Sequence, residues 1–144
     1  MMGNDDSPAA ICQHFLPMQD YRDLRVYRKS HIQVLRVRKV TGRFPNGYST
    51  LKLQLTKSVE SIPFNIVEGC GASTRKEFAR FLSISIKSSA EAGYQFVLAR
   101  DYGILVPKLW AKLNRKNTDI RRMLYGLRKK VLEADERDTN NGNT

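Results

Sequence analysis

Cysteine is nearly absent from this sequence: Cys12 and Cys70 are the only two among 144 residues. Two distant thiols make no disulfide framework, and a reduced, cytoplasmic setting is expected. Long apolar runs are missing too. None approaches the roughly 18 residues of a membrane span, so no membrane partner is expected. The start of the chain carries Asp5 and Asp6 and lacks a basic stretch leading into an apolar one, which reads as no secretory signal. There is no Gly-rich phosphate loop, no nucleophile elbow and no Cys/His spacing suited to a metal. A metal-dependent nuclease would want clustered carboxylates, and the acids in the body of the chain are few and scattered. The expectation is a protein that is not an enzyme and takes no metal or cofactor.

Positive charge is what the chain does have. Its net charge is +11, and the excess is concentrated. Residues 21–132 hold 24 of the 25 basic residues and 7 of the 14 acidic ones, a net of +17. A field of that sign favours polyanions, nucleic acid above all. Residues 1–20 read as a flexible N-terminal tail, and residues 133–144, with Glu133, Asp135, Glu136 and Asp138 against Arg137, as a flexible acidic C-terminal tail.

Between these tails the periodicity is helical. Leu51, Leu55, Val59, Ile62 and Ile66 recur at spacings of three and four through Pro63. A helix over about 48–68 should therefore kink at the proline, and Gly69 should stop it. Thr74-Arg75-Lys76-Glu77 then reads as a capping box opening a helix that runs to about Asp101. Its stripe is Phe78, Phe81, Ser85, Ser88, Ala92, Gln95 and Ala99, and its small middle suits close packing or a subunit contact. An earlier helix begins at Tyr21, with Leu24, Tyr27, His31, Val34, Val37 and Thr41 on one face. His31 reads there as a partly buried histidine, not a ligand. Pro107 opens the last helix, with Leu109, Leu113, Ile120, Leu124, Leu127 and Val131 inward. Short connections predict an all-α, antiparallel up-down-up-down four-helix bundle over residues 21–132.

Three groups of residues could carry function. Asn65, Glu68 and Glu91 lie at the edge of the apolar stripes. They read as a polar network in which Asn65 or Glu91 bonds across to a neighbouring helix, since no Glu-x-x-His motif joins them to make a metal site. The basic residues are the second group: Arg25, Lys29 and Arg36 on the first helix, and Lys108, Lys112, Arg115, Arg122 and Lys129 in a stripe on the fourth. Such rows can track a phosphate backbone without reading bases. Nothing resembles a helix-turn-helix, zinc finger or RNP signature. Tyr94, Tyr102, Trp110 and Tyr125 form the third group, as core fillers or as exposed stacking and interface anchors.

The run S-I-P-x-N-I-x-E-G over Ser61–Gly69, followed by K-E-F-x-R-F-L over Lys76–Leu82, resembles a known family. This is the bacterial four-helix bundle family encoded in intervening sequences of 23S (large-subunit) ribosomal RNA genes. More distantly it is similar to the accessory variability determinant (Avd) protein of diversity-generating retroelements. The resemblance extends to Leu24-Arg25-Val26-Tyr27, Thr41-Gly42-Arg43-Phe44-Pro45, Ser88 and Glu91, and gives Pro63, Asn65, Glu68, Gly69, Glu77 and Glu91 as its structural motif. It implies the bundle fold, a ring-shaped homopentamer and a ribosomal RNA or retroelement setting. With the charge, it points to an oligomeric, cytoplasmic, nucleic-acid-binding accessory protein that favours structured RNA or a ribonucleoprotein over DNA. The alternative is a self-assembling scaffold for protein partners with no nucleic-acid role.

Overall fold

A computed structural model describes residues 20–143. After a single 3-10 turn, Tyr21–Asp23, come α1 (Arg25–Thr41), α2 (Ser49–Cys70), α3 (Arg75–Asp101) and α4 (Pro107–Asn141). The described residues contain no strand. The starts follow local chemistry. The Thr74 hydroxyl accepts the Glu77 N–H at 3.1 Å to cap α3, and Pro107 fills the first turn of α4. Glu77 completes only half of a capping box, because its carboxylate faces Arg80 at 3.7 Å.

Each helix packs on the next, and α1 closes the bundle against α4. Contacts at both ends fix the directions. Along α2 and α3, Ser58 meets Gln95, Ser61 meets Ser88 and Gly69 meets Phe78. Along α3 and α4, Arg75 pairs with Asp138, and the Ser89 carbonyl receives Asn117 Nδ2 at 2.8 Å. In both pairs one number rises as the other falls, so the neighbours are antiparallel.

The core divides into two apolar clusters. One holds Leu24, Val26, Ile62, Ile66, Phe78, Leu82, Ile120 and Leu124; the other holds Val37, Leu51, Leu55, Val59, Ala92, Phe96 and Leu113. Between them lies a polar layer of buried Ser30, Gln33, Ser58, Ser85, Ser88, Ser89, Gln95 and Asn117. Buried polar groups need partners, and these find them mainly across helix seams. Ser85 Oγ donates to the Ile62 carbonyl at 2.9 Å, and Gln33 Nε2 donates to the Leu113 carbonyl at 3.0 Å.

Four expectations need correction. First, α1 turns Val26, Ser30, Gln33, Val37 and Thr41 inward. Tyr27 and Val34 are half-buried and His31 is exposed, stacked on Tyr27 at 6.0 Å. Second, Gly69 does not stop α2, which runs on to Cys70. Gly69 is buried inside the helix, where a Cβ would come within 2.6 Å of Phe78 Cδ2; its role is close approach, and α2 itself continues through Pro63. Third, Asn65 and Glu91 bond within their own helices, not across. Asn65 Nδ2 donates to Ser61 Oγ at 3.0 Å, and Glu91 Oε1 accepts from Gln95 Nε2 at 3.4 Å. The crossings are made by Ser61 with Ser88, at 2.7 Å, and by Ser58 with Gln95. Fourth, residues 133–141 are helix, not tail. Acids at a helix C-terminus oppose the helix dipole, but Ala134 is buried and Asp138 pairs with Arg75 at the positive N-terminal end of α3. The proposed tail 1–20 lies, apart from Asp20, outside the described residues.

Candidate nucleic-acid interface

Charge is unevenly divided among the helices. α1 carries Arg25, Arg28, Lys29, Arg36, Arg38 and Lys39 and no acid; α4 up to residue 132 carries nine basic residues against Asp119. In contrast, α2 balances Lys52 and Lys57 with Glu60 and Glu68. Because α1 and α4 are neighbours, the two basic helices share one side of the bundle.

Their seam is an open groove. Its upper part is lined by Lys29, Ile32 and Arg36 of α1 and by Lys116, Asp119 and Ile120 of α4. Its lower part adds Lys39, Val40, Arg43, Lys112 and Leu109, over a floor of Ile104, Leu105 and Val106 from the α3–α4 loop. Helical spacing accounts for the arrangement. Lys29, Ile32, Arg36 and Lys39 lie three and four apart, along the edge of α1 beside its buried face. Lys29 and Arg36 are half-buried.

Among the described residues, no ion pair engages Lys29, Arg36, Lys39, Arg43, Lys112 or Lys116. Asp119 is the one carboxylate among the described residues of the lining. Like charges held together without counterions raise the local potential and attract anions.

Of the residues singled out by sequence, Lys29, Arg36 and Lys112 meet in this groove. Arg25, Lys108, Arg115 and Arg122 are exposed on the flanks. Lys129 lies elsewhere, in a hollow with Tyr125, Leu132, Glu133 and Glu136, where carboxylates weaken the positive field. Lys39, Arg43 and Lys116 belong to the groove as well, although the sequence reading does not single them out. The motif residues lie away from it: Pro63 is buried, Asn65 half-buried, and Glu68, Glu77 and Glu91 exposed.

Of the aromatics read as core fillers or exposed anchors, three tyrosines are exposed: Tyr94 at 63%, Tyr102 at 53% and Tyr125 at 47%. Trp110 is half-buried, with the Arg100 guanidinium 4.2 Å above its ring. Burial pushes the Cys70 thiol up to about 12, so it is not a nucleophile at neutral pH. The Arg22 guanidinium, hydrogen-bonded to Asp20, holds that carboxyl below its usual range. Among the described residues, no group of three or more His, Cys, Asp and Glu side chains could hold a metal ion, and no helix is long and apolar enough to cross a membrane.

Comparison with known proteins agrees with this architecture. A crystal structure of a protein of unknown function from the S23 ribosomal protein family of Bacteroides thetaiotaomicron superposes with a TM-score of 0.68 at 24% identity. The match covers 72% of this chain and 98% of that one, and at this identity it shows the fold alone. No curated protein matches the chain. Residues 22–126, most of the helical body, match the family described as 23S rRNA-intervening sequence protein, and the chain belongs to that family.

Proposed function

We propose that this protein is an oligomeric, cytoplasmic accessory protein that binds nucleic acid through the basic faces of α1 and α4. It favours RNA over DNA, in the form of structured RNA or a ribonucleoprotein, and has no enzymatic activity of its own. The observation that carries this reading is the groove, where cations from two helices meet without ion-pair partners among the described residues. Phosphates are the natural counterions for such a surface, and contacts of this kind position a backbone without reading sequence. The family's name points the same way, towards ribosomal RNA. Self-association, in the five copies that the resemblance implies, has an apolar surface available to it. Phe64 is 63% exposed beside a hollow lined by Tyr27, Val34, Pro63 and Val67.

The test is binding to RNA and DNA across a salt series. Replacing Lys112, Arg115 and Arg122 with Gln should weaken binding to every nucleic acid by a similar factor. It should also flatten the salt slope by about one unit per lost phosphate contact. Wild-type protein that retains neither RNA nor DNA at low ionic strength would leave the scaffold reading, with Phe64 as its contact, in front. Sedimentation showing only a 16.5 kDa species would remove the oligomer.

A further inference from the structure

The lower end of the groove differs from a plain charged surface. Arg36, Lys39, Arg43 and Lys112 surround an apolar floor that includes Val40, Ile104, Val106 and Leu109. Val106 is 63% exposed. The loop that supplies this floor begins at Tyr102. Gly103, at φ +77, turns the chain so that Ile104 and Val106 follow directly. Tyr48 closes the other loop at this end of the bundle, five residues after Arg43. Its ring stands 5.9 Å from that of Tyr102, tilted by 36°. Tyr48 is half-buried and braces its neighbour, while Tyr102 stays 53% exposed.

We infer that this end of the groove takes a single unpaired nucleic-acid strand, with its phosphates on Arg36, Lys39, Arg43 and Lys112 and, where the strand leaves the groove over the loop of residues 102–106, one base stacked on Tyr102, which stands next to the lining and not in it. The inference rests on the nucleic-acid reading above and narrows its ligand. Two features select a single strand. The apolar floor and the tyrosine suit exposed base faces, which a duplex keeps stacked inside. A cationic track with an aromatic platform is also the general design of single-strand binding, because every base offers a face to stack. In a structured RNA the strand is a loop or an end. Phosphates of the adjoining duplex would then meet the exposed row of Lys108, Arg115 and Arg122.

The test uses the full chain and an unstructured RNA of about 12 nucleotides, within the range of known single-strand sites. The same strand annealed to its complement and a polyglutamate of matched charge are the comparison ligands. The single strand should bind most tightly at low salt. Tyr102→Ala should weaken it by about 5- to 150-fold, the effect of one lost stacking partner, while leaving the duplex unchanged. Tyr102→Phe, which keeps the ring, should bind like wild type. Tyr102 is exposed, so circular dichroism should show an unaltered fold in both variants. A duplex or polyglutamate bound as tightly as the single strand, or indifference to Tyr102→Ala, overturns the inference and leaves the broader reading standing. Failure to bind any nucleic acid removes both.

Discussion

The two seams on opposite sides of the bundle solve opposite problems. Between α2 and α3, Gly69 lets Phe78 approach, Ser85 bonds to the Ile62 carbonyl, and Ser61 and Ser58 reach Ser88 and Gln95. Small side chains bring the backbones close, and each hydroxyl has a partner across the gap. Between α1 and α4, long cations line an open groove and form no ion pair among the described residues. The first seam gains stability by closing. The second keeps like charges together, which costs stability and has value only if an anion arrives. The S-I-P-x-N-I-x-E-G run lies on α2, outside the groove, and its Ser61, Ile62 and Gly69 serve the closed seam, so these recognisable residues account for the fold and say little about the ligand.

The sharpest way to break this contrast is at Gly69. Leu there would drive a side chain into Phe78, which is fully buried and has no free space to yield. Gly69→Leu should cost about 3 kcal/mol or more by overpacking, read from urea unfolding. Gly126, also inside a helix, has nothing within 4 Å of a Cβ. Gly126→Ala should instead stabilise by up to about 1 kcal/mol, through helix propensity alone. Equal responses at the two glycines would show that close approach does not hold this seam.

That pair also shows where sequence reasoning stopped. Helix starts were legible because caps and prolines act locally: Thr74 and Pro107 stand where expected. Gly69 looked like a stop because glycine ends helices more often than it packs inside them. Part of the inward face of α1 is hidden from the apolar pattern because Ser30 and Gln33 are polar. Apolar spacing alone favours Tyr27, His31 and Val34, yet Gln33 is turned inward by a carbonyl on α4. Along the extension of α4, Asp138 meets Arg75, 63 residues away, a pairing that no local pattern shows. Both basic rows could be read from spacing, but their meeting in one groove follows from α1 lying against α4. That adjacency brings in Lys39, Arg43 and Lys116.

Cys70 probes the closed side by pH. Burial raises its thiol from the ordinary 9.0 to about 12. The folded protein therefore keeps a proton that the unfolded chain releases above pH 9. The thiol's contribution is complete below pH 9 and is lost as pH rises towards 12. Between these limits stability should fall by about 1.4 kcal/mol per pH unit more in the wild type than in Cys70→Ala. Parallel slopes would mean that water reaches the thiol.

On the open side, the expected sign reverses. Arg36→Gln with Lys112→Gln removes two like charges from one groove. It should raise stability by about 0.5 kcal/mol at low salt, a gain that fades near 1 M salt, where charges are screened beyond about 3 Å. Nucleic-acid affinity should fall in the same variant. A loss of stability would show that these side chains serve the fold through their stems.

The smallest effect is expected at Glu91, where the motif's acid could be taken for a reactive group. Its carboxylate is exposed and accepts one long hydrogen bond, 3.4 Å from Gln95 Nε2. Gln95 then accepts from Ser58, so Glu91 is the outer end of a chain whose crossing is made by other residues. Glu91→Gln keeps an acceptor at the same place and removes only a charge that water already screens. It should shift stability by less than about 0.5 kcal/mol, within the range of ordinary surface changes. Gln95 is buried, and Gln95→Leu would remove the crossing to α2 while the Ser58 hydroxyl keeps the Gln54 carbonyl, at 2.9 Å, as its acceptor, at a cost of about 0.5–1.5 kcal/mol. Urea unfolding of the two single variants separates the roles. If Glu91→Gln proves as damaging as Gln95→Leu, the acid itself holds α2 to α3, and the seam depends on charge as much as on small side chains.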